Sequence, residues 1–196
     1  IDIGANLGYF AKNFSRLANN GKVVAIEPLP QFRSILSKFI GKKNNVELHN
    51  VALGEKAGTI TMVLPQTNGM LRTGLPHVMR PDEAQTKEKT QEVQMVNTAD
   101  FFQTFERIDY IKCDIEGHEW AVFSLLQGVL NSKRPIVQLE VDPKNEKSIF
   151  SLFEQIDYLR CGIQDGQCLV ENTRHYGGDY LFVPKEKQNL IDKWNA

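Results

Sequence analysis

Several things are scarce in this chain. It has three cysteines, Cys113, Cys161 and Cys168, in 196 residues. Their odd number and lack of metal-ligand spacing disfavour a disulfide framework and point to a reducing compartment, the cytoplasm. No apolar run approaches the ~20 residues that cross a bilayer, so no membrane association is expected. Basic charge is not in excess: 23 Lys and Arg face 24 Asp and Glu, for a net charge of -1. Without a dense basic stripe, a nucleic-acid partner is not expected either. Near-zero net charge leaves the oligomeric state open. There is no internal repeat, low-complexity tract or linker, so residues 1–196 read as a single domain. The chain opens on Ile1, already inside a strand-like run and without an initiator Met. An N-terminal piece is therefore expected upstream.

What is present is a regular alternation. Residues 1–3 read as the end of a buried strand, followed at once by the turn Gly4-Ala5-Asn6-Leu7-Gly8. A helix should follow, with Tyr9, Phe10, Phe14, Leu17 and Ala18 on its apolar side and Asn19-Asn20-Gly21 stopping it. Residues 23–26 form a short apolar run ending in Glu27-Pro28. Phe32, Ile35, Leu36, Phe39 and Ile40 then recur at the spacing of an amphipathic helix ended by Gly41, and residues 46–50 read as a third strand. Strand–helix–strand units of this length make a parallel sheet, with the loops after the strands gathered on one edge. Ligands bind at that edge in open α/β folds.

The middle is less regular. Residues 59–64 and 93–96 look like extra strands, and Thr98 should cap a short helix over 99–105. Between them, residues 65–90 are polar, with Asn68-Gly69, three prolines and a charged run. They read as a long excursion, of the kind that is usually functional. Order returns with a strand over 108–114, a helix over 120–126 closed by Gly128, a strand over 136–141 and a helix over 148–156. Three extended pieces at 159–163, 169–171 and 180–183 close the sheet, and residues 187–194 suit a terminal helix.

Two clusters carry chemistry. In the first, Asp2 ends the strand before the glycine turn, and Glu27 ends the second strand, where an acid can accept hydrogen bonds from two ribose hydroxyls. The turn lacks the G-x-G-x-x-G dinucleotide fingerprint. A carboxylate at Asp2 repels a pyrophosphate and suits an ammonium or sulfonium. A turn plus two helix caps is the plain structural alternative.

The second cluster is Asp114-Ile115-Glu116-Gly117-His118-Glu119, dense in ionisable groups at the end of a central strand. It reads as a general base or substrate clamp, as a divalent metal site, or as a helix start favoured by the macrodipole. Glu140, after the next strand, faces either the same cleft or solvent. Arg174, His175 and Tyr176, before Gly177-Gly178, are loop residues within reach of a substrate. His49 and the helically spaced Phe32, Phe39, Phe150 and Phe153 read as structural.

Four strings, IDIGANLGYF, VVAIEPLPQF, VELHNVALGEKAGTITM and IDYIKCDIEGHEWAVFSLLQGV, occur in that order. Together with the ending GGDYLFVP, they make the chain resemble the FkbM family of S-adenosylmethionine-dependent methyltransferases. Residues 65–94 are the poorest match. The resemblance implies an α/β, Rossmann-like class I methyltransferase fold: a mostly parallel seven-stranded sheet with helices on both faces and the last strand inserted antiparallel. It further implies S-adenosyl-L-methionine across Asp2, Gly4, Asn6 and Gly8, its ribose on Glu27 and its adenine near Asn50, Val51 and Ala52. Asp114, Glu116 and His118 would lie nearest the methyl group, with Asp114 as first choice of base. Family members tend to methylate hydroxyl oxygens of sugars, polyketides and related natural products, so a small hydroxylated acceptor is the expected partner. A divalent metal is possible on these residues but is not expected. Residues 65–94 would be an acceptor lid. The alternatives are a methyltransferase-like binding domain without turnover and an NAD-dependent oxidoreductase, the latter disfavoured by Asp2 and the missing third glycine.

Overall fold

A computed structural model describes residues 1–40, 43–170 and 178–196. Gly41, Glu171 and the Arg174, His175, Tyr176 and Gly177 positions singled out above lie outside the described residues. The first half runs β1 (Asp2–Ile3), α1 (Tyr9–Leu17), β2 (Val23–Ile26), α2 (Pro30–Ile40), β3 (Val46–His49), β4 (Ala52–Gly54) and β5 (Gly58–Leu64). A short pair follows, β6 (Gln66–Thr67) with β7 (Met70–Leu71), then the short strand β8 (His77–Val78), before the long β9 (Lys89–Asn97). The second half runs α3 (Thr98–Gln103), β10 (Tyr110–Cys113), α4 (Glu119–Phe123), α5 (Gln127–Lys133), β11 (Ile136–Glu140) and α6 (Glu146–Gln155). It closes with β12 (Tyr158–Gln164), β13 (Gln167–Val170), β14 (Asp179–Pro184) and α7 (Asn189–Asn195).

The main sheet has the order β13-β12-β14-β11-β10-β1-β2-β3. β3, β2, β1, β10 and β11 are parallel, and β14 enters antiparallel between β11 and β12. The expected insertion of the last strand is thus present. The seven-strand count is not: the sheet is mixed and has eight strands. The additional one is β13, which folds back on β12 through the Asp165-Gly166 turn, both residues at positive φ. A two-residue D-G turn of this kind matches the twist of a hairpin.

Alternate residues of each strand face opposite layers. Ile3, Val24, Ile26, Ile111, Cys113, Val137 and Leu139 pack with Phe102, Val122, Leu130, Ile149 and Phe153, from α3 to α6, on one face. Val23 and Ala25 meet Ala11 and Leu36 on the other, where α1 and α2 lie, and α7 covers the far end of that face through Ile191. All three cysteines are buried and unpaired by disulfide.

A second sheet, β4-β9-β5-β8, was not expected as a unit. Its antiparallel β5–β9 pairing runs from Gly58↔Met95 to Leu64↔Lys89, so the 65–88 excursion is the connection of a long hairpin. The last six residues of the expected lid belong to β9 itself. Met62, Leu64, Val93 and Met95 pack against Leu29 and Phe32 of the main body, which fixes this sheet beside the ligand-binding edge.

Smaller differences have local causes. Asn97, not Thr98, caps α3, because its side chain accepts the Asp100 amide while Thr98 is used to bond the Gly54 carbonyl. The helix expected to close at Gly128 breaks earlier into α4 and α5, and the real stop is Arg134 in the left-handed region. Tyr9, Leu17 and Phe39 are 73%, 79% and 55% exposed, so the apolar faces of α1 and α2 are wider than the core they cover. No described helix is long and apolar enough to cross a membrane.

Candidate active site

The turn after β1 is set by two backbone contacts. The amides of Gly4 and Ala5 both donate to the Ile26 carbonyl, which ties the turn to the end of β2. Gly4 has φ +78, and a Cβ there would lie 2.0 Å from the carbonyl oxygen of Asp114. Only glycine lets the two motif loops touch this way. Gly8, at φ +91, starts α1 with Leu36 in the space a side chain would need. Asn6 is left-handed as well, and its amide donates to Glu27 Oε2 at 2.9 Å.

Glu27 is buried, and the Leu29 amide donates to its other oxygen, also at 2.9 Å. Each oxygen thus keeps one lone pair for a further donor. Burial pushes its pKa up to about 7 despite both amides. Asn50 donates to the carbonyls of Glu27 and Pro28, fixing the loop from beneath. Asp2 is 1% exposed, and neither of its oxygens has a partner of hydrogen-bond geometry. Burial pushes it up to about 6 against the pull of Lys112, the Ile1 ammonium and the nearby Ala11 amide.

These elements enclose a cavity of about 340 Å³ lined by Gly4, Asn6, Glu27, Val51, Ala52, Asp114, Glu116 and His118, among others. Of the residues expected to hold the donor or to react, those eight line one cavity. Asp2, Gly8 and Asn50 are not in the lining. Thr73, Gly74, Pro76 and Val78, from the hairpin connection, line it too.

The second cluster splits by environment. Asp114 follows β10, its side chain 40% exposed, and accepts from Lys112 Nζ at 3.1 Å. Lys112 itself is 5% exposed and sits 4.5 Å from the centre of the Phe10 ring. Glu116 is half-buried at φ +55, its pKa raised by burial and by Asp114. The His118 ring bonds the Leu53 backbone, while its Nε2 is enclosed without a partner. Burial lowers its pKa, so the neutral imidazole prevails at pH 7. Glu119 is buried, and its Oε1 accepts from the Ile115 and Gly117 amides, which shapes the loop from inside.

Two further residues belong here, Lys112, which was not expected, and Glu140, for which the cleft was one of two expected settings. Lys112 sits within the I-K-x-D string, where its position in a strand hid its role. Glu140 lies beside Asp114: carboxylate oxygens of Asp114, Glu116 and Glu140 all fall within 4.8 Å of one another. Oxygens so grouped are of the type a hard cation takes. Here Lys112 already offsets the charge of Asp114, and burial leaves a proton on Glu140.

A mixed α/β sheet with its last strand reversed, and a glycine turn facing an acid across one cavity, place the protein in the methyltransferase class of α/β folds. The Methyltransferase FkbM domain matches residues 2–163, and the chain belongs to that family. The fold is similar to that of the FkbM methyltransferase of Methylobacillus flagellatus, with a TM-score of 0.56 and 14% identity. That alignment covers 92% of this chain and 42% of the other, so the chain spans less than half of its relative's length. A precorrin-6y C5,15-methyltransferase from Geobacter metallireducens aligns with TM-score 0.48, 13% identity and coverage of 92% and 76%. A fibrillarin pre-rRNA processing protein of Methanococcus jannaschii aligns at 0.46, 15% identity and coverage of 92% and 63%. No curated protein matches the chain.

Proposed function

We propose that the protein is an S-adenosylmethionine-dependent O-methyltransferase acting on a hydroxyl of a small sugar, polyketide or related acceptor. The observation that carries this reading is the contact of Gly4 with the Asp114 carbonyl, which puts the donor turn and the acidic cluster on one cavity wall. The residues fit the donor. Glu27 keeps a lone pair on each oxygen for the two ribose hydroxyls, and Val51, Ala52, Phe32 and Met62 offer an apolar berth for adenine. The cavity is within the ~300–1,000 Å³ range of ligand pockets.

When bound, the donor supplies a methyl carbon already activated by the sulfonium. The protein's work is then alignment and deprotonation. Asp114, bonded to Lys112 and partly open to the cavity, takes the proton of the acceptor hydroxyl. Glu116 lines the same wall and orients the acceptor. His118 supports the loop through Leu53 and, as a neutral imidazole, is the alternative base. The hairpin connection over residues 65–88 forms the acceptor-side lid, and the single domain continues through it.

Calorimetric titration with S-adenosylmethionine and S-adenosylhomocysteine, with NAD and NADH as controls, tests the donor assignment. Micromolar binding of the first pair, about -8 kcal/mol, is the expected result. Binding of NAD in their place would end the methyltransferase reading. Donor binding without turnover on any hydroxylated acceptor would favour a binding domain.

A further inference from the structure

Asp114 and Glu140 end neighbouring parallel strands. The register Cys113↔Leu139 sets them side by side one residue further on, with carboxylate oxygens within 4.8 Å. Lys112 lies two residues before Asp114, hence on the same face of the sheet, and its ammonium bonds Asp114 Oδ2 at 3.1 Å. On its other side, Glu140 is the register partner of Asp179 in β14. Two carboxylates with oxygens within 4.8 Å cannot both stay ionised cheaply. The one that holds the ammonium keeps the charge, and its neighbour keeps a proton.

We propose that Glu140 and Lys112 are positioning residues that hold Asp114 as the charged member of a proton-sharing carboxyl pair, so that the base at the transfer centre is the pair. This rests on the reading of Asp114 as the base. The groups around it are consistent. Glu140 is pushed up to about 8, first by burial and then by its hydrogen bond and charge contact with Asp114, with Glu116 and Asp179 adding to the push. Asp179 is raised too, by burial and by Asp114, against Lys112. Glu116 is faced by Asp114 and Glu119, with His77 and Arg80 opposing from the lid. Asp2 faces Asp114 across Lys112.

In the step itself, the acceptor O–H bond breaks as the O–CH3 bond forms, and the electron pair of the broken C–S bond stays on sulfur. The proton goes to Asp114, which takes the pair from one negative charge to none. Glu140 then returns one of the two protons to solvent. At neutral pH the pair therefore starts each cycle with one proton in place, and it loses that proton only above about pH 8.

The test is a carboxyl 13C NMR titration of Asp- and Glu-labelled protein, which needs no acceptor. In wild type, the Glu140 carboxyl is expected to titrate near pH 8. Asp114→Asn should bring the Glu140 midpoint down by about one pH unit or more. Lys112→Met, which takes the ammonium from Asp114, should also change the Glu140 midpoint. A wild-type Glu140 that titrates in the ordinary carboxylate range overturns the proposal, even if both variants fail to fold. So does a Glu140 midpoint that ignores Asp114→Asn. Wild-type turnover in Asp114→Asn removes the base reading instead, and it leaves the coupled titration in place, so the two failures are distinct.

Discussion

The two halves of the cavity wall are built by different means. The donor side, from Gly4 to Glu27, is made of backbone: two glycines and Asn6 at positive φ, with amides converging on Ile26 and Glu27. The acidic side, from Lys112 to Glu140 with Asp179 beside it, is made of ionisable side chains that crowd one another and leave four carboxyls with raised pKa values. Steric exclusion fixes the first, and a balance of charge fixes the second. A single added methyl should therefore break the donor side, whereas pH should retune the acidic side without breaking it.

The largest effect should follow Gly4→Ala, whose Cβ meets backbone at 2.0 Å in a left-handed conformation. A loss of about 3 kcal/mol in urea unfolding is expected. Unchanged stability would mean that the Asp114 loop moves away freely, and the contrast between the two sides would fail.

Next comes pH. Asp2 and Glu27 titrate at about 6 and about 7 in the native state, above their ordinary values. Over that interval the folded chain holds protons that the unfolded chain has released. Their contribution to stability is full below about pH 4 and is lost as pH rises through 6 and 7, about 3 kcal/mol for each group. Urea midpoints taken across this range should fall in wild type, and Glu27→Gln should remove the upper part of the fall.

A smaller effect is expected on the donor itself. Glu27→Gln sets an amide N–H against a backbone N–H and removes one acceptor, which should weaken S-adenosylmethionine about tenfold by calorimetry, ~1.4 kcal/mol. In wild type, binding below pH 7 should release a proton, because hydroxyl donors prefer the ionised carboxylate. Smallest of all is Arg80→Ala. The guanidinium reaches the Glu116 carbonyl only at 3.4 Å in an exposed setting. Stability should change by less than about 0.5 kcal/mol; a larger loss would show that the lid braces the acidic loop.

What was readable in the sequence follows the same division. The strand–turn–helix at Gly4, the apolar run at 23–26 and the acid after it are local patterns, and each appears in the structure where periodicity and turn chemistry place it. The second sheet was not readable. Its β5–β9 pairing joins residues 25 to 37 positions apart around a polar connection, and neither strand announces its partner. The extra strand β13 was visible only as a short extended piece, since a hairpin at a sheet edge looks like any turn. The link between Glu140, Asp114 and Lys112 was hidden for a related reason. A carboxylate and a lysine on neighbouring strands acquire meaning only when the register brings them together. Tyr9, Leu17 and Phe39 show the converse, apolar residues at helical spacing that the core does not reach.

The contact between Gly4 and the Asp114 carbonyl also bears on how the protein is made. β1 lies between β2 and β10, bonded through Lys112 N to Ile1 O and Asp114 N to Ile3 O. The donor turn is synthesised well before its partner loop, which arrives over a hundred residues later. Pairings of such long separation close slowly, because loop entropy must be overcome before any contact repays it. A nascent chain halted before Asp114 has emerged should carry the whole glycine turn and still not retain S-adenosylmethionine, and donor capture during translation would switch on abruptly once β10 docks.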